Sequence, residues 1–470
     1  MPDPGEQRPH VAVVGGGIAG LAAARALVTS GARVTVLEGS PRLGGKLHTS
    51  EVGGLPVDEG AESFLWRAPG ATELAGDVGL AGDLVHPAAV GAAVVSRGRL
   101  RRLPPRTMFG IPGDPRALAA ANVLSLRGIA RVAVEPWLPG GPPTADTTVG
   151  GYVRRRLGRE VVDRLVDPLL GGVYAGRADA LSLQATMPQL LPHLASHRSL
   201  LEAARAAVPE PSGQPVFATV RGGLGRLVEA LQLAVEPAGA EILLGRPARE
   251  LRRTASGWRV VHGSTRDAQT LDADGVVLAL PAAPASRLLT DDVPAAATDL
   301  GQVDYASVAL VTLVFPASAA GRHGPVSRLS GYLVPEVEGR PVKAVTFFTT
   351  KWPHLDTDAI VVRCSFGRYG DPAVLQRDDA DLVVDARREL LDSAGISAPP
   401  VASRVSRWGG ALPQYAVGHL DRVRRVRAAV AGAGGLAVCG AAYDGVGIPA
   451  CIRSGQQAAT EVLSGWTMTP

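Results

Sequence analysis

Lysine, cysteine and aromatic residues are scarce in this chain. Its 470 residues include three lysines, three cysteines and 4% aromatic residues, whereas arginine, alanine and glycine are abundant. The cysteines (Cys364, Cys439 and Cys451) form no C-x-x-C pair and have no zinc-ligand spacing. The sequence therefore predicts no metal site, and its cysteine usage favours a reducing, cytoplasmic setting.

Long apolar runs and dense basic clusters are also missing. No uninterrupted apolar run reaches the roughly 18 residues of a membrane span, and residues 1–10 carry no signal-peptide core. The net charge of +4 lacks the Lys/Arg clustering that is typical of nucleic-acid binders. With 46% hydrophobic and 20% charged residues, we expect a globular protein, soluble or peripheral on a membrane, with no nucleic-acid partner.

The first 40 residues predict a βαβ unit. An apolar strand at 11–14 ends in glycines, a helix follows over 18–30 and stops at Gly31, and a second strand covers 33–37. Parallel strands joined in this way are typical of a doubly wound sheet.

The rest of the chain predicts further strands for this sheet and two insertions. The predicted elements are a hairpin at 92–103, mostly helices from 115 to 197, strands at 216–220, 241–244, 258–262 and 275–280, β alternation at 300–370, a helix at 380–395, a strand at 435–440 and a helix at 448–463. We expect the three strands between 241 and 280 to return to the nucleotide-binding sheet, and we assign the chain to the α/β class (α+β overall).

A glycine motif lies between the first strand and the first helix. The run Gly15, Gly16, Gly17, Ile18, Ala19, Gly20 fits G-x-G-x-x-G in the strand–turn–helix context that the motif requires. Gly15 permits the tight turn, Gly17 lets the backbone approach a pyrophosphate, and Gly20 allows close helix packing. Glu38 ends the second strand, where a carboxylate accepts both ribose hydroxyls and repels a 2′-phosphate. The alternative is a structural glycine turn beside an ordinary surface glutamate.

Three further segments indicate FAD. Residues 40–46 (SPRLGGK) add a second glycine pair, in which Arg42 could neutralise a phosphate, and residues 60–63 (GAES) follow. Residues 438–449 (VCGAAYDGVGIP) predict a strand, a turn and a helix whose positive dipole end would face the flavin pyrimidine. These segments resemble the extended FAD signature of the amine oxidase and protoporphyrinogen oxidase superfamily.

The resemblance extends along nearly the whole chain to one branch of that superfamily, the Gram-positive-type coproporphyrinogen III oxidases. It rests on motifs that occur in the family's order. They are residues 148–158 (TVGGYVRRRLG), 167–176 (DPLLGGVYAG), 197–200 (HRSL), 221–224 (RGGL), 351–354 (KWPH), 407–408 (RW), 413–419 (PQYAVGH) and 445–449 (GVGIP).

The resemblance implies a set of site residues. Non-covalent FAD would be bound by Gly15, Gly16, Gly17, Ile18, Ala19, Gly20, Glu38, Gly39, Arg42, Lys46, Gly60, Ala61, Glu62, Ser63, Ala248, Trp408, Ala441, Val446, Gly447 and Ile448. Substrate would lie near Gly172, Tyr174, Ser365 and Phe366. Arg67 is a further substrate-side candidate, because it is the one cation left where many relatives carry several basic residues.

It also implies a Rossmann-like FAD-binding domain with an inserted mixed-β-sheet substrate domain and an inserted helical, membrane-facing domain. The expected boundaries are 1–90, 206–285 and 401–470 for the FAD domain, 91–112 and 286–400 for the substrate domain, and 113–205 for the helical domain.

The implied reaction is oxygen-consuming, six-electron oxidation of coproporphyrinogen III to coproporphyrin III, with release of hydrogen peroxide, in haem biosynthesis. Protoporphyrinogen IX is the alternative substrate, and a flavin amine oxidase is a more distant alternative. The implied partners are the porphyrinogen, O2 and a membrane surface, and the order of the reactions alone suggests a downstream ferrochelatase. No residue pattern requires an acid–base catalyst; Glu62 and His419 are candidates by position, and a structural role is favoured for both.

Overall fold

Two large sheets organise the chain in the computed structural model, which describes residues 8–209, 213–321, 324–355 and 357–464. The first, here called the nucleotide sheet, is built from separate stretches of the chain, as predicted. Its parallel strands lie in the order Ala240–Leu243, Arg33–Leu37, His10–Val14, Gly275–Leu278 and Leu436–Val438.

Both faces of the nucleotide sheet are buried, which explains why its strands read as continuous apolar runs. In the first strand, Val11 and Val13 belong to one core and Ala12 and Val14 to another. The first core includes residues of the helices Ile18–Thr29, Gly225–Val235 and Ile448–Ser464. The second includes residues of Ala282–Leu289, Pro294–Gly301 and His419–Ala433.

The second sheet, here called the large sheet, has seven strands. They lie in the order Ala402–Pro413, Tyr305–Phe315, Ile360–Phe366, Val342–Phe347, Leu329–Leu333, Gly91–Ser96 and Arg99–Arg102. Leu329–Leu333 and Gly91–Ser96 are parallel and the other pairs are antiparallel, so the sheet is mixed. The helix Asp379–Ala394 packs on one face, which we call the far face.

A helical region follows the hairpin of the large sheet. Its helices are Pro115–Ala121, Leu126–Ala133, Val149–Leu157, Arg159–Val161, the π-helical turn Val162–Val166, Asp167–Tyr174, Leu183–Thr186, Leu191–Ser196 and Leu200–Ala207. A buried ion pair between Glu135 and Arg156 lies in this region, and Glu135 also accepts hydrogen bonds from Ser199 Oγ (2.6 Å) and the Leu200 amide (2.7 Å). These contacts tie three segments of the region together.

Short elements complete the fold. They are the hairpin Thr49–Val52/Leu55–Asp58, the strands Phe64–Leu65, Leu84–Val85 and Phe217–Val220, the pair Thr107–Met108/Ile111–Pro112, and the helices Ala71–Asp77 and Phe348–Lys351. The predicted hairpin at 92–103 is confirmed; Arg97 (φ 54°) and Gly98 (φ 71°) have the positive φ angles of a type I′ turn.

The expected sheet membership of residues 258–262 is wrong. The strand Trp258–Ser264 is the middle of a separate antiparallel sheet with Ala248–Arg253 and Asp267–Ala273. Two placements also differ from the expected domain division. The strand Ala402–Pro413 lies in the large sheet, and the helix Pro294–Gly301 packs in the core of the nucleotide sheet.

Candidate functional site

The glycine turn after the first strand is closely packed on one side and open on the other. Gly15 has φ +110°, and a Cβ on Gly20 would lie 1.9 Å from the Gly15 carbonyl oxygen. A Cβ on Gly17, by contrast, would meet no heavy atom within 4 Å. Gly15 and Gly20 thus hold the turn against its helix, and Gly17 leaves open backbone surface at the helix N-terminus, where a phosphate is favoured.

The Glu38 carboxylate lies against this turn. Its Oε2 accepts a hydrogen bond from the Gly16 amide and its Oε1 from the Ser40 amide, each at 2.7 Å. The Glu38 backbone also accepts from the Arg246 amide at 2.8 Å, just before the strand that begins at Ala248. The expected ribose carboxylate and Ala248 therefore border the same corner of the nucleotide sheet.

The second glycine pair closes onto the first. The Gly44 amide donates to the Gly16 carbonyl (2.8 Å), and Gly44 and Gly45 both have positive φ angles. The Arg42 guanidinium donates to the carbonyls of Leu43 (3.1 Å) and Gly45 (3.0 Å). Arg42 thus braces the loop in this structure, with its guanidinium carbon 6.0 Å from the Trp408 ring centroid.

The loop at 60–63 is wedged between this region and the large sheet. A Cβ on Gly60 would lie 2.1 Å from the Lys46 carbonyl oxygen and 3.3 Å from Trp408. Trp408 Nε1 donates to the Glu59 carbonyl (2.7 Å), and Arg363 donates to the carbonyls of Asp58 and Gly60 (3.1 Å each). The large sheet therefore sets the position of this loop.

Glu62 is held by two cations of the large-sheet region. Its carboxylate is buried and pairs with Lys351 Nζ and the Arg363 guanidinium. Burial opposes ionisation, but Arg363 and Lys351 together hold the pKa of Glu62 below its ordinary value. Glu62 is thus an ionised structural anchor. Lys351 and Arg363 were not among the predicted site residues, and their pairing with Glu62 leaves no local sequence signal.

The buried carboxyl of Asp58 should make the stability of the protein depend on pH. Burial raises the pKa of this carboxyl to about 6, although Thr49 Oγ1 (2.6 Å) and the Leu224 amide (2.9 Å) both donate to it. Between about pH 4 and 6 the Asp58 carboxyl binds more protons in the folded state than in the unfolded state. Its contribution to the free energy of unfolding therefore falls as pH rises through this window. Asp58→Asn removes the charge, so its Tm relative to wild type should rise from pH 4 to 6.5 and level off above. A Tm difference independent of pH would contradict this assignment.

The C-terminal segment approaches the glycine turn through close helix packing. Gly440 (φ +116°) follows the last strand of the nucleotide sheet, and its amide donates a hydrogen bond to Ser454 Oγ at 3.1 Å. A Cβ on Gly455 would lie 2.1 Å from the Ala19 carbonyl oxygen, so the helix Ile448–Ser464 crosses the first helix almost at backbone contact. Gly455 was not predicted; a glycine in the interior of a predicted helix was its only signal.

These segments fit a dinucleotide. The open backbone at Gly17, the carboxylate of Glu38, the loop at 60–63 and the start of the helix at Ile448 come from four separate parts of the chain. Lys46 contacts two of these segments. Its carbonyl oxygen lies against Gly60, and its ammonium lies near the Cys451 thiol of the last helix. Burial lowers the pKa of this ammonium, and Cys451 acts in the opposite direction. The structure thus brings the predicted cofactor residues to one edge of the nucleotide sheet.

Tyr174 lies at the end of the helix Asp167–Tyr174. Its ring is buried and tilted against Tyr415, with centroids 5.6 Å apart, and burial raises its pKa to about 12. The Tyr415 hydroxyl donates to the Ala441 carbonyl at 2.6 Å. Gln414 Nε2 donates to the Tyr174 carbonyl at 2.8 Å. Tyr174 is therefore joined through two contacts to the predicted cofactor residue Ala441.

The space between the helix Asp167–Tyr174 and the large sheet is here called the cleft; Gly172, Leu333 and Ser365 border it, and each keeps some exposure to solvent. A Cβ on Gly172 would lie 3.8 Å from Leu333, and Leu333 packs with Tyr174 and Val446 in one apolar cluster. Leu333 pairs with Ala344, which pairs with Ser365, and paired residues share a face of a sheet. Ser365 thus lies on the face of the large sheet that is turned towards Gly172.

Phe366 and Arg67 lie elsewhere. Phe366 is the next residue after Ser365, and its fully buried side chain packs in the far-face core. The structure therefore does not bring Phe366 to the cleft. Arg67 is exposed and donates to the Gln214 carbonyl at 3.1 Å.

His419 is fully buried and stacks on Tyr415, with ring centroids 4.0 Å apart. Burial lowers the pKa of His419 to about 4, so its ring is neutral near pH 7.

Comparison with known proteins identifies the family of this chain. Residues 18–463 match the family model of the flavin containing amine oxidoreductases. The chain belongs to this family. As a member of the flavin containing amine oxidoreductases it binds a flavin, and the predicted α/β architecture is confirmed.

Relatives within the family have more specific names. The coproporphyrinogen III oxidase of Bacillus subtilis (strain 168) is 33% identical, with 97% of this chain and 98% of that protein covered. The coproporphyrinogen III oxidase of Mycobacterium tuberculosis (strain H37Rv) is 36% identical, with 96% of each covered. A solved structure of a proposed protoporphyrinogen oxidase from Exiguobacterium sp. 255-15 is similar with a TM-score of 0.86 at 30% identity, covering 97% of this chain and 99% of that one.

Proposed function

We propose that this flavoenzyme oxidises coproporphyrinogen III to coproporphyrin III in haem biosynthesis, with non-covalent FAD as cofactor and O2 as the final acceptor. The observation that carries the proposal is full-length similarity to proteins named coproporphyrinogen III oxidase, at 33–36% identity; the open glycine turn beside Glu38 at the edge of the nucleotide sheet supports it. The protoporphyrinogen oxidase of Macaca fascicularis is 30% identical to this chain, and protoporphyrinogen IX is therefore the alternative substrate.

The chain's own residues would bind, orient and enclose the reactants. A bound FAD supplies a two-electron acceptor for each oxidation step. The glycine turn and Glu38 would hold its nucleotide part, and the first turn of the helix Ile448–Ser464 offers backbone amides and the positive end of its dipole to developing negative charge. Tyr174, Leu333 and Val446 belong to one apolar cluster beside the first turn of this helix. The Glu62 carboxylate is paired with two cations and the His419 ring is buried, so neither is placed to accept a proton. Protons released from the substrate would therefore pass to water.

Parallel turnover assays test this function. The purified yellow protein is mixed in air with coproporphyrinogen III or protoporphyrinogen IX, and porphyrin fluorescence and hydrogen peroxide are followed. We expect faster turnover of coproporphyrinogen III and release of intact FAD on acid precipitation. Preference for protoporphyrinogen IX would change the substrate assignment, and flavin that stays attached to the precipitate would contradict non-covalent binding. Absence of turnover with both compounds, with FAD bound, would overturn the proposed reaction.

The helical region carries an exposed apolar surface that we propose as a peripheral membrane contact of a cytoplasmic enzyme. Leu126 is 89%, Val134 45% and Trp137 75% exposed. Leu126 begins the helix Leu126–Ala133, Val134 is the residue that caps its C-terminus, and Trp137 ends the short 3-10 turn Glu135–Trp137 that follows. In the part of the chain that the structure describes, no helix is long and apolar enough to cross a membrane. A ferrochelatase, which would use the porphyrin product, is proposed as a partner by the order of reactions only.

Vesicle flotation measures this contact. The double variant Leu126→Ser, Trp137→Ser should lose most binding to phosphatidylcholine–phosphatidylglycerol vesicles and keep its turnover in solution. Leu233→Ser is a matched control, since Leu233 is 71% exposed on a helix of the nucleotide-binding part. Equal flotation of wild type and the double variant would contradict the assignment of this surface.

A further inference from the structure

Lys343 is the extra residue of a β-bulge in the large sheet. Val342 pairs with Phe366 and Ala344 pairs with Ser365, so two steps along one strand face one step along the other. Lys343 therefore lies directly beside the Ala344–Ser365 pair, whose face is turned towards Gly172. Bulges are frequent next to functional sites because they redirect a side chain.

The charged neighbours of Lys343 place it away from the far face. Tyr332 and Cys364, whose side chains pack in the far-face core, both have Glu389 of the helix Asp379–Ala394 as an electrostatic neighbour. Lys343 has Arg368 instead. Arg368 in turn neighbours Asp167, the first residue of the helix Asp167–Tyr174. Lys343 is thus on the side of the sheet that faces the helix of Gly172 and Tyr174.

The ammonium group of Lys343 has no hydrogen-bond or ion-pair partner among residues 8–209, 213–321, 324–355 and 357–464. Burial, with a smaller effect of Arg368, lowers its pKa to about 7, yet the residue keeps partial access to solvent. A group that is deep in the protein and still accessible borders an internal cleft. Lys351, by contrast, has Glu62 as its counterion.

An unpaired cation at this depth is unfavourable for folding alone, because it loses hydration without gaining a counterion. Such a group is instead suited to an anion that arrives with a ligand, since a charge-assisted hydrogen bond to a carboxylate restores the lost interactions. The acidic groups near Arg368 are Asp167, Glu336 and Asp371, and none of them acts on the pKa of Lys343. The position therefore remains available to an external carboxylate.

We propose that the Lys343 ammonium binds a propionate carboxylate of the tetrapyrrole substrate in the cleft between the large sheet and the helix Asp167–Tyr174. This inference rests on the proposed function and adds to it a residue that orients the substrate. Lys343 acts on substrate binding and not on the redox step, so its loss should raise KM and leave kcat nearly unchanged.

The test uses the FAD-loaded full-length protein and the stable product coproporphyrin III as the probe. Lys343→Met keeps the apolar stem and removes the charge, Lys343→Arg keeps a cation, and Arg266→Met removes one positive charge from an exposed turn as the matched control. Titration followed by porphyrin fluorescence gives Kd. We expect Lys343→Met to bind about ten- to a hundredfold more weakly, the size of one charged hydrogen bond. Lys343→Arg should recover most of the loss, and Arg266→Met should match wild type.

The uncharged tetramethyl ester of coproporphyrin III separates loss of charge from loss of shape. Wild type should bind the acid more tightly than the ester, and Lys343→Met should lose this preference while its Tm stays equal to or above that of wild type. Unchanged affinity for the acid in Lys343→Met, or an equal loss for acid and ester, would overturn the assignment of Lys343. Failure of wild type to bind coproporphyrin III and to oxidise either porphyrinogen would instead overturn the proposed function, and this inference with it.

Discussion

Replacing Gly17 by alanine should weaken flavin binding about ten- to a hundredfold and leave the fold intact, because a methyl group inserted at a close contact costs about 1–3 kcal/mol. Gly17 has φ −72° and ψ 176°, which alanine adopts without strain, and its Cβ would enter open space. That space is where the backbone must approach the pyrophosphate. FAD titration of the apoprotein by flavin fluorescence gives Kd, and circular dichroism with a thermal melt reports the fold.

Gly20→Ala, unlike Gly17→Ala, should destabilise the fold itself. Its Cβ would lie 1.9 Å from the Gly15 carbonyl oxygen, so the turn and the helix Ile18–Thr29 must separate. The apoprotein itself should therefore melt at a lower temperature. Gly76→Ala is the control, since Gly76 lies in a short helix with no heavy atom within 4 Å of its Cβ. If Gly17→Ala bound FAD as tightly as wild type, the pyrophosphate would not pass over this turn.

Local signals explain why the nucleotide-binding elements could be predicted closely. The helix predicted at 18–30 is Ile18–Thr29, the strand predicted at 33–37 is Arg33–Leu37, and the last helix, predicted at 448–463, is Ile448–Ser464. Each is bounded by glycine and carries an apolar pattern that a short window reveals. Burial of the nucleotide sheet on both faces makes these apolar runs unmistakable.

Pairing partners and strand faces could not be predicted in this way. The strand Trp258–Ser264 is apolar enough for the nucleotide sheet, but its neighbours Ala248–Arg253 and Asp267–Ala273 pair with it as hairpins. The strand Ile360–Phe366 is buried on both faces, so its apolar pattern could not separate Ser365 from Phe366. Register decides the face, and register depends on the partner strand.

The same limit applies to the ion cluster at Glu62. Lys351 and Arg363 are 289 and 301 residues away from Glu62 along the chain, so no spacing rule could have joined them. Only the packing of the large sheet against the loop at 60–63 brings the three charges together. The sequence suggested a structural role for Glu62, and the structure supplies the partners through which it acts.

Removal of the Glu62 carboxylate should destabilise the protein by about 3–5 kcal/mol, because it leaves two cations largely buried without their counterion. Glu62→Gln tests this with little change in volume. Urea unfolding of the apoprotein followed by circular dichroism measures the loss of free energy of unfolding. Flavin affinity should fall as well, because Arg363 positions the loop at 60–63 through the carbonyls of Asp58 and Gly60.

A double variant shows whether the orphaned cations cause the loss. Glu62→Gln, Lys351→Met removes one of them, so it should be more stable than Glu62→Gln alone although it carries more substitutions. Asp421→Asn is the control: its ion pair with Arg424 is exposed, and its loss should cost less than about 1 kcal/mol. A double variant less stable than Glu62→Gln would mean that Lys351 stabilises the fold through contacts other than this carboxylate.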